Sequence, residues 1–254
     1  MTDLEKICAD AYEARVKIGT LDTDIKNKVL NDAADNLLKA EEEILEANKR
    51  DVATAEENMK AKSMIDRLSL DHDRLLGMAD GLRQIAKLAD PIGEVMSMAK
   101  RPNGLIIGKR RVAIGVVGII FEARPNVTSD AFGLCFKTGN CVILKGGSDA
   151  INTNIAIVKA LKKALTDNLV SAAALALIES TDRETTNAFM KMDQYVEQDS
   201  YKMLSKMPQS LSSRPVQATA MYMWTRMLTL TWLLILLTMQ RHKESVSAMH
   251  VSRL

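Results

Sequence analysis

A lysine, two glycines and a serine, Lys145-Gly146-Gly147-Ser148, directly follow a short apolar run at Cys141–Leu144. A helical pattern begins after them, which gives the order strand, glycine-rich turn, helix. Glycines without side chains let backbone N–H groups, and the N-terminus of a following helix, face an anion. The pattern therefore predicts a nucleotide-phosphate site, although such a tetrapeptide standing alone is more often an ordinary turn.

A second apolar run, Ala113–Phe121, lies upstream of this turn, and both runs are rich in Val and Ile. Between the two runs, Asn126–Thr138 has the pattern of a helix. Thr128 or Ser129 can cap this helix, and Gly139-Asn140 can end it. We therefore expect two strands joined by a helix, with the glycine-rich turn at the end of the second strand.

The remaining patterns indicate more helices before this block and a further strand after it. The predicted N-terminal helices are Thr2–Lys17, one that starts at Asp22 or Thr23, Glu41–Met59, and one from Ser69 or Asp71 to about Leu88. The next predicted segments are an irregular crossing over Asp90–Asn103 and the extended segments Leu105–Arg110 and Arg111–Phe121. The predicted downstream elements are the helix Asp149–Thr166, the strand Ala173–Ser180 and the helix Arg183–Met192. Helices first, then alternating strands and helices, predict an α/β domain with a mostly parallel sheet.

Composition excludes several classes of function. Lys and Arg total 34 against 32 Asp and Glu, so a net charge of +2 gives no case for a nucleic-acid or membrane-surface partner. The cysteines Cys8, Cys135 and Cys141 lack C-x-x-C spacing, which favours buried thiols over a disulfide framework or a metal site. Met1–Asp10 is polar and acidic, unlike a signal peptide, and we expect a cytoplasmic protein.

Two longer motifs surround the glycine-rich turn: G-V-V-G-I-I-F-E-A-R-P-N-V-T at 115–128 and K-x-G-N-x-V-I-L-K-G-G-S at 137–148. They closely resemble the γ-glutamyl phosphate reductase family of the aldehyde dehydrogenase superfamily. Leu177–Glu184 resembles the next strand and turn of the same family. The resemblance extends from the N-terminal helices to about Val196.

The resemblance implies a Rossmann-type parallel sheet of which this chain holds only a part. Residues 1–196 would form the N-terminal part of an NADP-binding domain, with helices over 1–90 and an α/β portion over 105–196. The family reduces γ-glutamyl phosphate with NADPH, giving glutamate-5-semialdehyde and phosphate in proline biosynthesis. The intact family member is also expected to be a homo-oligomer.

The resemblance assigns a cofactor role to the glycine-rich turn. Lys145 matches a position that contacts the adenosine ribose of NADP(H) or its 2′-phosphate, and a cation suits that dianion. Gly146, Gly147 and Ser148 would shape the turn beside it. The alternative is that Lys145 is a solvated lysine at the end of a strand.

Arg124 and Asn126 lie near the position at which the superfamily places its oxyanion-stabilising asparagine. Donors aimed at a developing oxyanion are among the larger catalytic terms. The alignment with the family can shift by two residues here, so it leaves open whether the Arg124 or the Asn126 side chain faces the substrate. In the alternative, both residues only order the turn at Pro125.

Residues 197–254 differ in character from the chain before them. None of the 12 glycines lies after Gly147, and seven of the 15 methionines fall in these 58 residues. Regrouping permitted codons for Ser212–Met227 by one nucleotide gives V-I-E-T-G-T-G-N-C-H-V-Y-V-D-E-D-A, which resembles the family's continuation. The same operation on Trp232–Ser252 gives a segment that contains N-A-C-E. We therefore expect an aberrant, out-of-frame tail that lacks the family's nucleophilic cysteine.

Three hypotheses for function remain open. The first is a catalytically defective member of the reductase family, with part of its NADP(H) site and no nucleophile. The second is a non-catalytic nucleotide-binding or assembly module that pairs with intact subunits. The third makes Met227–Met239 a membrane anchor, but this run has 13 residues, whereas spanning a bilayer takes about 20.

Overall fold

The computed structural model of the protein describes residues 2–122 and 124–196. In this part of the chain the helices are α1 (Asp3–Gly19), α2 (Thr23–Lys39), α3 (Glu41–Glu57), α4 (Lys62–Leu68), α5 (His72–Lys87), α6 (Asn126–Lys137), α7 (Ile151–Asp167) and α8 (Arg183–Phe189). The strands are β1 (Val95–Lys100), β2 (Ile106–Arg110), β3 (Val116–Ile120), β4 (Cys141–Lys145) and β5 (Leu175–Leu177). The membrane-anchor hypothesis for Met227–Met239 and the out-of-frame tail lie outside the described residues.

Local signals explain where α1 and α5 begin. Thr2 and Glu5 form a capping box at the start of α1, in which Thr2 Oγ1 accepts from the Glu5 N–H at 3.2 Å and the Thr2 N–H donates to the Glu5 carboxylate at 2.9 Å. Asp71, one of the two predicted caps, starts α5 by accepting from the Arg74 N–H at 2.7 Å. Helix α4 is not predicted, because its seven residues carry too few turns to show a period.

The helices and the sheet share one hydrophobic core. Helix α2 packs against α5 and α7, and α5 packs against α6. Leu30 and Leu37 of α2 and Leu75 and Leu82 of α5 are buried in this core, and each such side chain contributes roughly 1.5–3 kcal/mol of transfer free energy. The helix predicted to start at Asp22 or Thr23 and the helix predicted from Ser69 or Asp71 to about Leu88 are confirmed.

Strands β3, β4 and β5 form a parallel sheet in that order. Val116 pairs with Cys141, and Val142 pairs with Leu175. All five residues of β4 are buried, as expected for a central parallel strand with helices on both faces. Helices α6 and α7 are the crossovers between consecutive strands, and α1 packs against β4. The prediction of an α/β fold with an incomplete parallel sheet is confirmed.

Strands β3 and β5 are shorter than the apolar runs that predict them. Gly115 has a φ of +124°, and its N–H donates to Asn140 Oδ1 at 2.8 Å, so strand pairing begins only at the next residue. Ala172–Ala174 forms a 3₁₀ turn that the Ser171 side chain caps, which delays the start of β5. Apolar runs mark burial rather than strand pairing: Ala174, for example, is fully buried in the 3₁₀ turn before β5.

Strands β1 and β2 form an antiparallel hairpin, where the sequence predicts an irregular crossing over Asp90–Asn103. That prediction is wrong for Val95–Lys100, which pairs with Ile106–Arg110. Gly104, with a φ of +86°, allows the tight turn between the two strands. Most of the hairpin's side chains are exposed, so no alternation of buried and exposed residues marks the strand in the sequence.

Helix α6 begins earlier than the predicted caps. It starts at Asn126, directly after Pro125, and both Thr128 and Ser129 are buried inside its first turns. The prediction that either residue caps this helix is therefore wrong. Gly139 ends the helix as predicted: its φ is +71°, and a Cβ there would lie 3.3 Å from the Cα of Gly19.

Candidate functional site

Lys145 stands at the carboxyl end of β4, between the segments that follow its two neighbouring strands. The Lys145 carbonyl accepts from the Phe121 N–H at 3.1 Å. The Ile178 N–H donates to the carbonyl of Leu144, the residue before Lys145, at 2.8 Å. The lysine side chain is 97 % buried, and its Nζ donates to the Gly146 carbonyl at 3.0 Å. Burial lowers the pKa of Lys145, whereas the carboxylate of Asp182 acts in the opposite direction. The alternative of a solvated lysine at the strand end is therefore wrong.

Gly146 lies where a side chain has no room. A Cβ at this position would be 2.5 Å from Asn154 Nδ2 and 3.5 Å from the ring of Phe121. Asn154 is fully buried; its Oδ1 accepts from Thr128 Oγ1 at 2.9 Å, and its Nδ2 has no hydrogen-bond partner within the described part of the chain. The glycine thus leaves a polar buried amide next to the turn.

The N-terminus of α7 already holds an anion from the protein itself. Asp51 of α3 accepts from the Thr153 N–H at 2.8 Å and from its hydroxyl at 2.6 Å, and it also accepts from Asn152 Nδ2 at 2.8 Å. A carboxylate at this end of a helix satisfies the free N–H groups and the helix dipole. Asp51 thus occupies the backbone N–H group of Thr153 at this helix start, and the nucleotide-phosphate site predicted at the turn would use Lys145, Gly146, Gly147 and Ser148.

Arg124 and Asn126 line a second site, a cleft of about 480 Å³ between the start of α6 and the segment Asp66–Met78. Arg124 is half-buried and Asn126 is exposed. Burial lowers the pKa of Arg124, and the guanidinium of Arg67 across the cleft lowers it further. Two cations therefore lie close together at the cleft.

Asp130 also lines this cleft and lies one turn along α6 from Asn126. It is 91 % buried. Burial raises the pKa of its carboxyl to about 7, while a hydrogen bond from the Asn126 side chain acts in the opposite direction. The carboxyl therefore changes charge near neutral pH.

The two sites follow neighbouring strands at the same edge of the parallel sheet. Arg124 comes after β3 and Lys145 ends β4, and carboxyl ends of parallel strands are where open α/β sheets bind ligands. Sequence reasoning missed Arg67 and Asp130. Asp130 carries a signal, because it is the one carboxylate of α6 and it directly precedes the apolar stretch Ala131–Phe136, whereas Arg67 is an exposed residue of a short helix and carries none.

The three cysteines are buried free thiols, as predicted. Burial raises the pKa of Cys8 to about 11 and the pKa values of Cys135 and Cys141 to about 12. A thiolate is the nucleophilic form of cysteine, and these environments disfavour it. Residues 2–122 and 124–196 therefore hold no reactive cysteine, and no helix in those ranges is long and apolar enough to cross a membrane.

The helices and the incomplete parallel sheet have the fold of an aldehyde dehydrogenase. Residues 1–196 match the model of the aldehyde dehydrogenase family, and the chain belongs to that family. Gamma-glutamyl phosphate reductase of Agathobacter rectalis is 98 % identical over 197 residues, which are 78 % of this chain and 47 % of that protein. Its counterpart from a Thermoanaerobacter species is 53 % identical over 191 residues, covering 75 % of this chain and 46 % of that protein.

Solved structures agree with this assignment. The crystal structure of gamma-glutamyl phosphate reductase from Thermotoga maritima has a TM-score of 0.75 and 37 % identity, over 77 % of this chain and 47 % of that one. The resemblance predicted from the two motifs is confirmed, as is its extent to about Val196. The chain spans about half the length of the curated relatives that it matches.

Proposed function

We propose that this chain is the N-terminal part of a γ-glutamyl phosphate reductase, which reduces L-γ-glutamyl 5-phosphate to glutamate-5-semialdehyde and phosphate for proline synthesis. The observation that carries the proposal is the 98 % identity over 197 residues to the Agathobacter rectalis enzyme of that name. The arginine-lined cleft supports it, because an acyl phosphate is an anion. Residues 1–196 would be the N-terminal part of the NADP-binding domain.

The proposed cofactor is NADP(H), which supplies the hydride. The residues present fit one end of that molecule. Lys145 offers a cation for the adenosine ribose or its 2′-phosphate. Gly146 and Gly147 have no side chains that would cover the backbone beside it, and Asn154 Nδ2, which has no hydrogen-bond partner among the described residues, adjoins the turn. Ser148 would contribute a hydroxyl at the end of the turn.

The proposed substrate contact is Arg124, with Asn126 beside it. The Asn126 side chain is hydrogen-bonded to Asp130, so its orientation is held from within α6. Arg124 is half-buried at the cleft, and the positive charge of Arg67 repels its own positive charge. This arrangement favours Arg124 as the residue that binds an anionic group and Asn126 as the donor near a developing oxyanion.

We propose that the chain itself is catalytically defective. The reaction needs a cysteine thiolate that attacks the acyl phosphate and forms a thioester. Cys141 is the last cysteine of the sequence, and the match to relatives ends near Val196. An out-of-frame tail explains both facts. Sequencing the gene across the codons for Met190–Leu254 tests this, and an intact reading frame that restores N-A-C-E would contradict it.

A second candidate function is a non-catalytic partner of intact subunits. The observation that favours it is the β1–β2 hairpin, which exposes large apolar side chains such as Met98 and Ile106, each 67 % exposed. An isolated two-stranded hairpin is marginally stable and gains from a partner. We further propose that copies of this chain associate with one another through this hairpin.

We also propose a cytoplasmic location, in keeping with the buried free thiols of the chain.

Binding of NADPH to the 254-residue chain tests the cofactor proposal. We expect Lys145→Met to weaken NADPH binding at least about tenfold, because the cation that faces the 2′-phosphate is lost. The same substitution should weaken the binding of NADH less, because NADH lacks that phosphate. Lys163→Met is the matched control, an exposed lysine on α7 that pairs with Asp167 at 3.0 Å. Fluorescence titration of the reduced nicotinamide measures both ligands, and equal effects of the two variants would refute the role of Lys145.

A further inference from the structure

The amine of Lys145 is folded back onto the turn that follows β4. Its Nζ donates to the Gly146 carbonyl at 3.0 Å, in buried surroundings. This carbonyl is a neutral acceptor, and a hydrogen bond between ions is roughly twice as strong as one between neutral groups. An anionic oxygen at the turn would therefore draw the amine away from Gly146.

Departure of the amine has a cost at Gly146. This glycine is buried, and a buried carbonyl that loses its hydrogen bond is left with its full desolvation penalty. Binding of an anion by Lys145 is therefore opposed by the carbonyl that the amine leaves behind. A second donor beside this carbonyl would remove the opposition.

Asn154, on α7, places such a donor against the same glycine. A Cβ at Gly146 would lie 2.5 Å from Asn154 Nδ2, so the amide directly adjoins the turn. The Asn154 side chain is fully buried, and within residues 2–122 and 124–196 its Nδ2 has no hydrogen-bond partner. Thr128 of α6 fixes the direction of the amide, because its Oγ1 donates to Asn154 Oδ1 at 2.9 Å. A costly buried N–H is thus held next to a carbonyl that has another donor.

The peptide between Gly146 and Gly147 can exchange donors by rotation. A flip of this peptide changes ψ of Gly146 and φ of Gly147 by about 180° in opposite directions and leaves the flanking chain in place. Gly147 has a φ of −70° and a ψ of 165°, and the flip takes its φ to a positive value that glycine adopts readily. Because the C=O and N–H of a peptide point in opposite directions, the flip also turns the Gly147 N–H to the side that the carbonyl leaves.

We propose that Asn154 is a positioning residue for this turn: when Lys145 engages an anionic oxygen of the cofactor, the Gly146–Gly147 peptide flips and its carbonyl accepts from Asn154 Nδ2. The flip keeps the carbonyl hydrogen-bonded and brings the Gly147 N–H to the anion as a second donor. The inference rests on the proposed function for the identity of the ligand. The flip itself does not, because removal of the lysine amine should cause it as well.

NMR of the 254-residue chain, labelled with ¹⁵N at glycine and asparagine, observes the flip directly. In Lys145→Met, without any ligand, we expect the three-bond HN–Hα couplings of Gly147 to report a positive φ. The side-chain amide protons of Asn154 should shift downfield and exchange more slowly with solvent, because they gain an acceptor. NADPH added to the parent chain should cause the same two changes.

Gly147→Ala tests whether the flip contributes to binding. Alanine accommodates the observed φ of −70° but disfavours a positive φ, so NADPH should bind about tenfold more weakly while the midpoint of urea unfolding stays the same or rises. Asn154→Leu combined with Thr128→Val, which replaces both hydrogen-bonded partners by apolar groups, should weaken NADPH binding to a similar extent. Asn36→Leu is the matched control, since Asn36 Nδ2 is also buried without a partner among the described residues but lies on α2.

The outcomes separate the flip from the cofactor. Unchanged Gly147 couplings, both in Lys145→Met and in the parent chain with NADPH, would overturn the flip. A flip that persists in the Asn154→Leu and Thr128→Val combination, or equal NADPH binding by that variant and by Asn36→Leu, would overturn the role of Asn154. If Lys145→Met flips but NADPH does not bind the parent chain, the proposed cofactor is wrong and the two-state turn is supported. Should Lys145→Met fail to fold, the titration of the parent chain with NADPH decides.

Discussion

The carboxyl group of Asp130 makes the stability of the fold depend on pH. Burial raises its pKa from 3.8 to about 7, so the folded protein retains a proton that the unfolded chain releases. This contribution to stability is complete below pH 3.8 and is lost as the pH rises through 7. Between pH 5 and pH 8 the loss amounts to roughly 2–3 kcal/mol.

Asp130→Asn removes this dependence. We expect the variant to match the parent chain near pH 5 and to exceed its free energy of unfolding by about 2 kcal/mol at pH 8. Urea denaturation at several pH values measures the difference, in which the titration of all other groups cancels. A difference that stays constant from pH 5 to pH 8 would show that Asp130 is ionised throughout.

At the scale of elements, the contact between α5 and α6 depends on a glycine. A Cβ at Gly133 would lie 2.8 Å from Leu82 Cδ2 and 2.9 Å from Ile85 Cδ1. Gly133→Ala therefore forces these side chains to move, which costs about 1–3 kcal/mol. The gain of about 1 kcal/mol in helix propensity offsets only part of that cost.

Gly77 in α5 provides the matched comparison, because a Cβ there meets nothing within 4 Å. We expect Gly77→Ala to stabilise the chain by about 0.5–1 kcal/mol and Gly133→Ala to destabilise it. Thermal or urea unfolding of both variants measures the two signs. If both substitutions stabilise the chain, the α5–α6 interface is looser than the structure indicates.

The elements that the sequence predicts most clearly are those with a buried stripe or a fully buried run. Leu30 and Leu37 of α2, Leu75 and Leu82 of α5 and the apolar run at Cys141–Leu144 mark burial directly, because these apolar residue types are selected where solvent is excluded. Strand β1 of the hairpin and helix α4 lack such a stripe or run and are not predicted. The cleft is predicted only through Arg124 and Asn126, because Arg67 joins them through tertiary packing between segments more than 50 residues apart.

At the scale of the whole molecule, the exposed apolar side chains of the hairpin favour self-association. We expect Met98→Lys combined with Ile106→Lys to lower the average mass in solution, because charges on this surface oppose contact between copies. Leu169→Lys is the control, since Leu169 is 98 % exposed but lies in the turn after α7. Light scattering after size exclusion measures the mass. An unchanged mass for the hairpin variant would mean that association uses another surface.

The bond between Asp51 and the start of α7 has a consequence for synthesis of the chain. Thr153 follows Asp51 by 102 residues, and translation at about 5–20 residues per second separates their emergence by roughly 5–20 s. During that interval Asp51 is available to solvent, and the faces of α2 and α3 that pack against α7 are bare. The N-terminal helices therefore cannot complete their packing until α7 has left the ribosome. Nascent chains paused before α7 should therefore be a substrate for chaperones that bind exposed apolar surface.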